Sequence, residues 1–197
     1  MDLINALILG VVQGLTELLP VSSSGHLVIV EKVLGLEFTD VMFEISVHVA
    51  SALALCLILR RELLLMLRSV LPARGGRNAV REGRSLILKL AIGTIPAAVI
   101  GLAASDGIER MFHDVRLTLA MLPLTGLFLI GTRWAKQRDS SVTPVFALFI
   151  GVAQAVAILP GISRSGLTIG SALFLGIKKE EAVRFSFLLS LPAIFGG

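Results

Sequence analysis

GVVQGLTELLPVSSSGH, residues Gly10 to His26, sets a glutamine, a glutamate, three consecutive serines and a histidine between apolar flanks. Polar groups are costly in a hydrocarbon environment, so a cluster of them there points to function. Pro20 breaks the run. Before it, Leu3 to Leu19 is interrupted by Asn5, Gln13, Thr16 and Glu17; after it, Leu27 to Leu36 is short. Ten helical residues cover about 15 Å, against a hydrocarbon core of about 30 Å. Neither arm is a comfortable span, and together they read as a re-entrant helix–loop–helix hairpin with PVSSSG at its tip. Non-helical backbone at that depth must be buried in protein or line a wet cavity.

A second stretch, Gly151 to Gly166 (GVAQAVAILPGISRSG), repeats the first at an offset of 141. The offset pairs Gly10 with Gly151, Gln13 with Gln154, Ser22 with Ser163, Ser24 with Ser165, Gly25 with Gly166 and Leu34-Gly35 with Leu175-Gly176. The matched Gln, Ser and Gly residues are uncommon ones in apolar sequence, which favours a duplication. Three spans are expected between the copies: Val41 to Leu59, Leu86 to Ala103 and Leu117 to Trp134. An odd number of crossings turns the second copy upside down. Inverted repeats whose broken helices meet near the midplane place a ligand site at the repeat interface.

The rest of the chain fits a membrane protein. It has 197 residues, 55% of them hydrophobic and 16% charged, a formal net charge of +4 and a mean hydropathy of +0.88, far from ordinary soluble composition. The expected fold is all-α: a polytopic inner-membrane helical protein with an inverted-topology repeat and two re-entrant hairpins. It is read as a single transmembrane domain over residues 1–197, repeat one at about 1–103 and an incomplete repeat two at about 117–197. The apolar stretch Phe185 to Gly197 lacks a polar exit and reads as part of something longer. The single cysteine, Cys56, is expected to be a buried structural thiol. Arg60 to Lys89 reads as a polar connection with eight Lys/Arg and two Glu, and Ser105 to Arg116 as a short loop of mixed charge. Positive-inside bias places the Arg60–Lys89 loop, the Arg133–Arg138 loop and Lys178–Lys179 in the cytoplasm. The Ser105–Arg116 and Leu36–Asp40 loops then lie outside. The basic loop also suits anionic lipid headgroups, and nothing in the pattern calls for nucleic acid.

The two tips have complementary chemistry. Gln13 and Glu17 are four apart, on one helical face below the serine loop. Glu17 can bind a divalent cation, Mg or Ca, with Gln13 as a neutral co-ligand, or act as a general base; it can also merely brace the loop. Ser22, Ser23, Ser24 and Gly25 offer hydroxyls and backbone N–H groups at a helix start, an anion-binding arrangement. His26 follows as acid, base or nucleophile. The second tip adds Arg164 between Ser163 and Ser165, with Gly166 and Thr168 after it. Arg164 is the only basic residue between Arg138 and Lys178, and a guanidinium at depth needs an anion, either a phosphate or Glu17 itself. Glu44 and His48, four apart in the first full span, are further candidates for the same cavity. Together these residues describe a phosphate-handling site.

The chain at this point resembles the undecaprenyl-pyrophosphate phosphatases, the bacitracin-resistance proteins of bacterial inner membranes. QGLTE (Gln13 to Glu17) looks like the family's (E/Q)xxxE motif, PVSSSGH (Pro20 to His26) like its serine–histidine loop, and PGISRSGLT (Pro160 to Thr168) like its PGxSRSxxT motif. One departure is Gln13, where many relatives have glutamate. The resemblance implies a multi-pass membrane phosphatase that releases inorganic phosphate from undecaprenyl pyrophosphate and returns undecaprenyl phosphate to cell-wall synthesis. Its catalytic residues would be Glu17, Ser23, His26 and Arg164, with Ser23 or His26 attacking the terminal phosphorus. Ser22, Ser24, Gly25, Ser163, Ser165, Gly166 and Thr168 would bind phosphate, and Gln13 with Glu17 the cation. Expected partners are the polyprenyl pyrophosphate lipid and membrane lipid, with a homodimer left open. The rival reading is a lipid-phosphate transporter or flippase that uses the same inverted-repeat site without breaking a bond.

Overall fold

The computed structural model describes residues 2–36, 41–71, 76–112, 114–136 and 138–196. Among them the chain forms ten α-helices: α1 Leu3–Leu18, α2 Ser23–Val33, α3 Val41–Ile58, α4 Arg60–Val70, α5 Arg77–Ala103, α6 Ser105–Phe112, α7 Val115–Gly131, α8 Pro144–Val156, α9 Arg164–Phe174 and α10 Lys179–Gly196. A single 3-10 turn, Thr132–Trp134, follows α7. The described residues hold no strand beyond one isolated bridge between Ser140 and Ile177.

The helix starts follow their local sequences. The Asp2 carboxylate accepts from the Asn5 N–H at 2.8 Å and caps α1. Asp114 accepts from the N–H groups of Arg116 and Leu117 to cap α7. Thr143 caps α8 ahead of Pro144, whose missing N–H costs nothing in a first turn.

α1 with α2, and α8 with α9, pack as two helix–loop–helix units. Their ends correspond at the offset of 141. Ser22 caps α2 by accepting from the Gly25 N–H, and Ser163 caps α9 by accepting from the Gly166 N–H. Both second arms close alike: Leu36 N–H donates to the Glu31 carbonyl and Ile177 N–H to the Ala172 carbonyl, around Gly35 (φ 67°) and Gly176 (φ 81°). A left-handed residue there is what this helix ending requires, and glycine takes it without a steric penalty.

The densest seam joins α5 to α8. Its centre is a glycine pair: a Cβ on Gly151 would lie 2.3 Å from the Gly93 carbonyl oxygen. Backbone cannot step aside as a side chain can, so Gly151→Ala has to part the two helices. We expect it to destabilise the protein by about 3 kcal/mol, read as a lower thermal midpoint of the detergent-solubilised protein. α10 fills the space beside this seam. Phe185 and Leu189 join Val142, Ala147, Ile150, Ala172, Ile177 and Ala182 in one buried cluster, and Leu188 and Leu191 join Leu55 and Leu59 in another.

Two helical stretches, Arg77–Ala103 and Val115–Trp134, are long and apolar enough to cross a bilayer; Leu3–Leu18, Ile45–Ile58 and Pro144–Val156 are shorter apolar helices. Only 11% of the most apolar window of each long stretch is buried inside the protein, unlike the core helix of a soluble domain. The all-helical fold, with two long apolar helices little buried inside it, is consistent with a membrane protein.

Two sequence expectations need correction. Arg60 to Lys89 is not a loop: Arg60–Val70 is α4, and α5 already begins at Arg77. Charge counting hid a helical period in which Leu63 and Met66 pack on the Leu55–Leu59 cluster while the arginines face out. α4 and α5 meet where Gly83 abuts Ser69. Ser105 to Arg116 is likewise mostly helix, α6 and the start of α7. The expected outer residues Glu37 and Asp40 lie outside the described residues, as does the side chain of Glu44; His48 is half-buried on α3.

Candidate active site

The two hairpin tips meet. Arg164, the first residue of α9, donates through Nη2 to Glu17 Oε1 at 2.9 Å, across 147 positions of sequence. The Ser165 hydroxyl donates to the Leu19 carbonyl at 3.1 Å, a second link between the tips. Glu17 gathers the first tip onto the same carboxylate: its Oε2 accepts from the Ser23 hydroxyl at 2.5 Å and from Gln13 Nε2 at 3.2 Å. The i to i+4 spacing of Gln13 and Glu17 on α1 makes the latter contact, and the break at Pro20 folds Ser23 back over Glu17.

The exposures suit a site that opens at Arg164. The Glu17 side chain is 8% exposed and that of Arg164 25%. Arg164 spends one N–H on Glu17, and the rest of its fork can take an anion while the carboxylate holds its direction. Ser23, Ser24 and Ser165 are half-buried on the two tips.

Ser22 and His26 shape the loop. Ser22 holds φ at 65°, a left-handed value that a side chain disfavours. That turn points its carbonyl at His26, where it accepts the backbone N–H at 3.2 Å and lies 2.8 Å from Nδ1. A carbonyl only accepts, so in the neutral ring the proton sits on Nδ1, and Nε2 keeps its lone pair. In that tautomer Nε2 is the ring nitrogen open to accept a proton.

The remaining candidates take supporting places. The Ser22 and Ser24 hydroxyls lie 3.4 Å apart, and those of Ser163 and Ser165 3.3 Å apart. The N–H groups of Gly25 and Gly166 serve the two helix caps. Thr168 is buried, its hydroxyl against the carbonyls of Arg164 (2.8 Å) and Ser165 (3.3 Å) and the hydroxyl of Ser186. From there it steadies the first turn of α9. Among the described residues no group of three or more His, Cys, Asp and Glu converges as for a metal held by protein alone. One oxygen is nevertheless unengaged next to Glu17: Gln13 is 1% exposed and its Oε1 has no hydrogen-bond partner. Gln154, which stands at the offset of 141 from Gln13, is 2% exposed and has neither amide atom paired.

Sequence reasoning passed over α7. Thr125, 3% exposed, accepts the Ser163 N–H through Oγ1 at 3.1 Å, next to Arg164 in the chain. Nothing in the sequence sets it apart: Thr118 and Thr125 lie two turns apart on α7 and look like ordinary helix filling.

Comparison with known proteins came out on one side. The family described as "Bacitracin resistance protein BacA" matches residues 6–197. The chain is 44% identical to an "Undecaprenyl-diphosphatase" of Carboxydothermus hydrogenoformans, aligning over all of this chain and 72% of that protein. It is 43% identical to one of Korarchaeum cryptofilum, over all of this chain and 76% of that protein. It is 41% identical to "Undecaprenyl-diphosphatase 2" of Bacillus thuringiensis, over 99% of this chain and 73% of that protein.

Proposed function

The chain belongs to the bacitracin resistance protein BacA family, and we infer that it hydrolyses undecaprenyl diphosphate to undecaprenyl phosphate and inorganic phosphate. The product is the lipid carrier of cell-wall synthesis, and its recycling is what resists bacitracin. The observation that carries the chemistry is Glu17 holding Ser23 on one oxygen and Arg164 on the other.

The reaction follows from that arrangement. The terminal phosphate docks on the open side of Arg164, whose fork matches two phosphate oxygens. Ser23 Oγ attacks the terminal phosphorus and passes its proton to Glu17, already in hydrogen-bond contact. The bond from that phosphorus to the bridging oxygen breaks, and undecaprenyl phosphate leaves with the electron pair. Arg164 and the serine hydroxyls of both tips stabilise the charge on the equatorial oxygens. Water then attacks the phosphorus of the phosphoserine and gives a proton to His26 Nε2; the bond from that phosphorus to Ser23 Oγ breaks, Oγ takes back its proton from Glu17, and inorganic phosphate leaves as His26 returns its proton to solvent. The hydrogen bond at His26 Nδ1 supports this role, since it leaves Nε2 able to accept.

The residues suit a divalent cation, magnesium or calcium, with few protein ligands. Gln13 Oε1, buried and unpartnered, and the Glu17 carboxylate would hold it. When bound, it would neutralise charge on the diphosphate.

We further propose that the two units are re-entrant hairpins of an inverted repeat in a multi-pass protein of the bacterial inner membrane. The matching caps and glycine endings at offset 141 support this, with the apolar exteriors of α5 and α7. The test of function uses purified protein in detergent and undecaprenyl diphosphate. We expect one inorganic phosphate per lipid consumed. Flux of intact lipid in liposomes with no phosphate release would replace this reading with a carrier.

A further inference from the structure

α7 belongs to neither hairpin, yet one of its faces meets both tips. Thr118, Met121, Leu122 and Thr125 follow the i, i+3, i+4, i+7 spacing of a single helical stripe. Leu122 closes on the first tip: a Cβ on Gly25 would lie 2.6 Å from Leu122 Cδ2. Thr118 and Met121 close on the second. Gly161, at φ +83°, sits so near that a Cβ would be 2.1 Å from the Thr118 carbonyl oxygen and 3.0 Å from Met121 Cβ. One turn further on, Thr125 Oγ1 accepts the Ser163 N–H at 3.1 Å, and both atoms are buried.

We propose that α7 is the gauge that sets the distance between the tips, and that Thr125 is a positioning residue for Arg164. The inference rests on the phosphatase reading of the site. The Ser163 N–H precedes the first turn of α9, where only a group outside that helix can accept from it. Thr125 supplies that acceptor from a third element. It thereby fixes the Cα from which the guanidinium starts, while Glu17 fixes only its far end. With the hydroxyl gone, Arg164 keeps its charge and its carboxylate partner, but its backbone origin is free to shift. A displacement of an ångström at a group aimed at developing charge lowers the rate about a hundredfold and leaves ground-state binding largely intact.

The test compares Thr125→Val, which removes the acceptor at nearly constant volume, with Thr125→Ser, which keeps it. Rates are measured on undecaprenyl diphosphate with the full chain in detergent, alongside inhibition by vanadate as a transition-state mimic and the thermal midpoint. Thr125→Val is expected to lower kcat between tenfold and a hundredfold, to weaken vanadate by a similar factor, and to leave KM within about threefold. Thr125→Ser is expected to restore kcat to within about threefold of the unaltered chain. Should Thr125→Val not fold, Thr125→Ala must show the same split. Unchanged kcat, losses that merely track a lowered midpoint, or no recovery with serine would each overturn the proposal. Arg164→Lys is run in parallel: if it is fully active, the reading of the site has failed, whereas a dead Arg164→Lys beside an active Thr125→Val refutes the gauge alone.

Discussion

Arg164→Lys is expected to cost between a hundredfold and a thousandfold in kcat/KM on undecaprenyl diphosphate, although charge and approximate length are kept. The Arg164 guanidinium can do two things at once: one N–H holds Glu17 at 2.9 Å, and the remaining N–H groups of the partly exposed fork are open to a phosphate. A lysine ammonium is a point charge on a flexible stem. It can follow the carboxylate or the phosphate but cannot present a fixed planar pair of donors to both. Removing one preorganised donor from a developing oxyanion costs about 3–4 kcal/mol, which is that range of rate. Steady-state phosphate release checks it, with the thermal midpoint as control. Retention of more than about a tenth of the activity would mean that Arg164 acts as a simple charge.

Glu17→Gln is expected to be at least as damaging, about a thousandfold in kcat. The glutamine keeps the shape but loses the charge. Glu17 is the point where Gln13, Ser23 and Arg164 converge. An amide oxygen can still accept from Ser23 or from Arg164, but not from both on separate oxygens, and it cannot take the serine proton. The same change removes one of the two oxygen donors proposed for the divalent cation, so the metal dependence should shift as well. Phosphate release at graded Mg²⁺ reads both effects. Near-normal activity at saturating Mg²⁺ would assign Glu17 to binding the ion and free it from proton transfer.

Much of the site was readable from residue types alone. A carboxylate and a guanidinium placed deep in apolar sequence each need a partner, and Glu17 was one of the two anions open to Arg164; the 2.9 Å contact joins them. The correspondence at offset 141 was readable because Gln, Ser and Gly recur there, and the caps at Ser22 and Ser163 recur with them. α4 and α6 were less legible because charge density masked their periodicity. An amphipathic helix at a membrane edge carries as many arginines as a loop, and only the spacing of Leu63 and Met66 distinguishes it. The role of α7 could not be seen at all. Its contacts run through a Thr118 carbonyl, a Leu122 methyl and a Thr125 hydroxyl, none of which differs in sequence from ordinary helix filling. Ser22's left-handed turn was equally hidden, since serine gives no sign of it.

The central claim is that two tips 147 positions apart in sequence act as one catalytic unit. A double-mutant cycle on kcat/KM tests it most directly, comparing Glu17→Gln, Arg164→Lys and the pair together. If the tips form one unit, the second change removes little that the first has not already disabled, and the double variant falls no more than about tenfold below the worse single one. Losses that multiply, on the order of 10⁵ or more, would show that Glu17 and Arg164 act independently and would contradict the account.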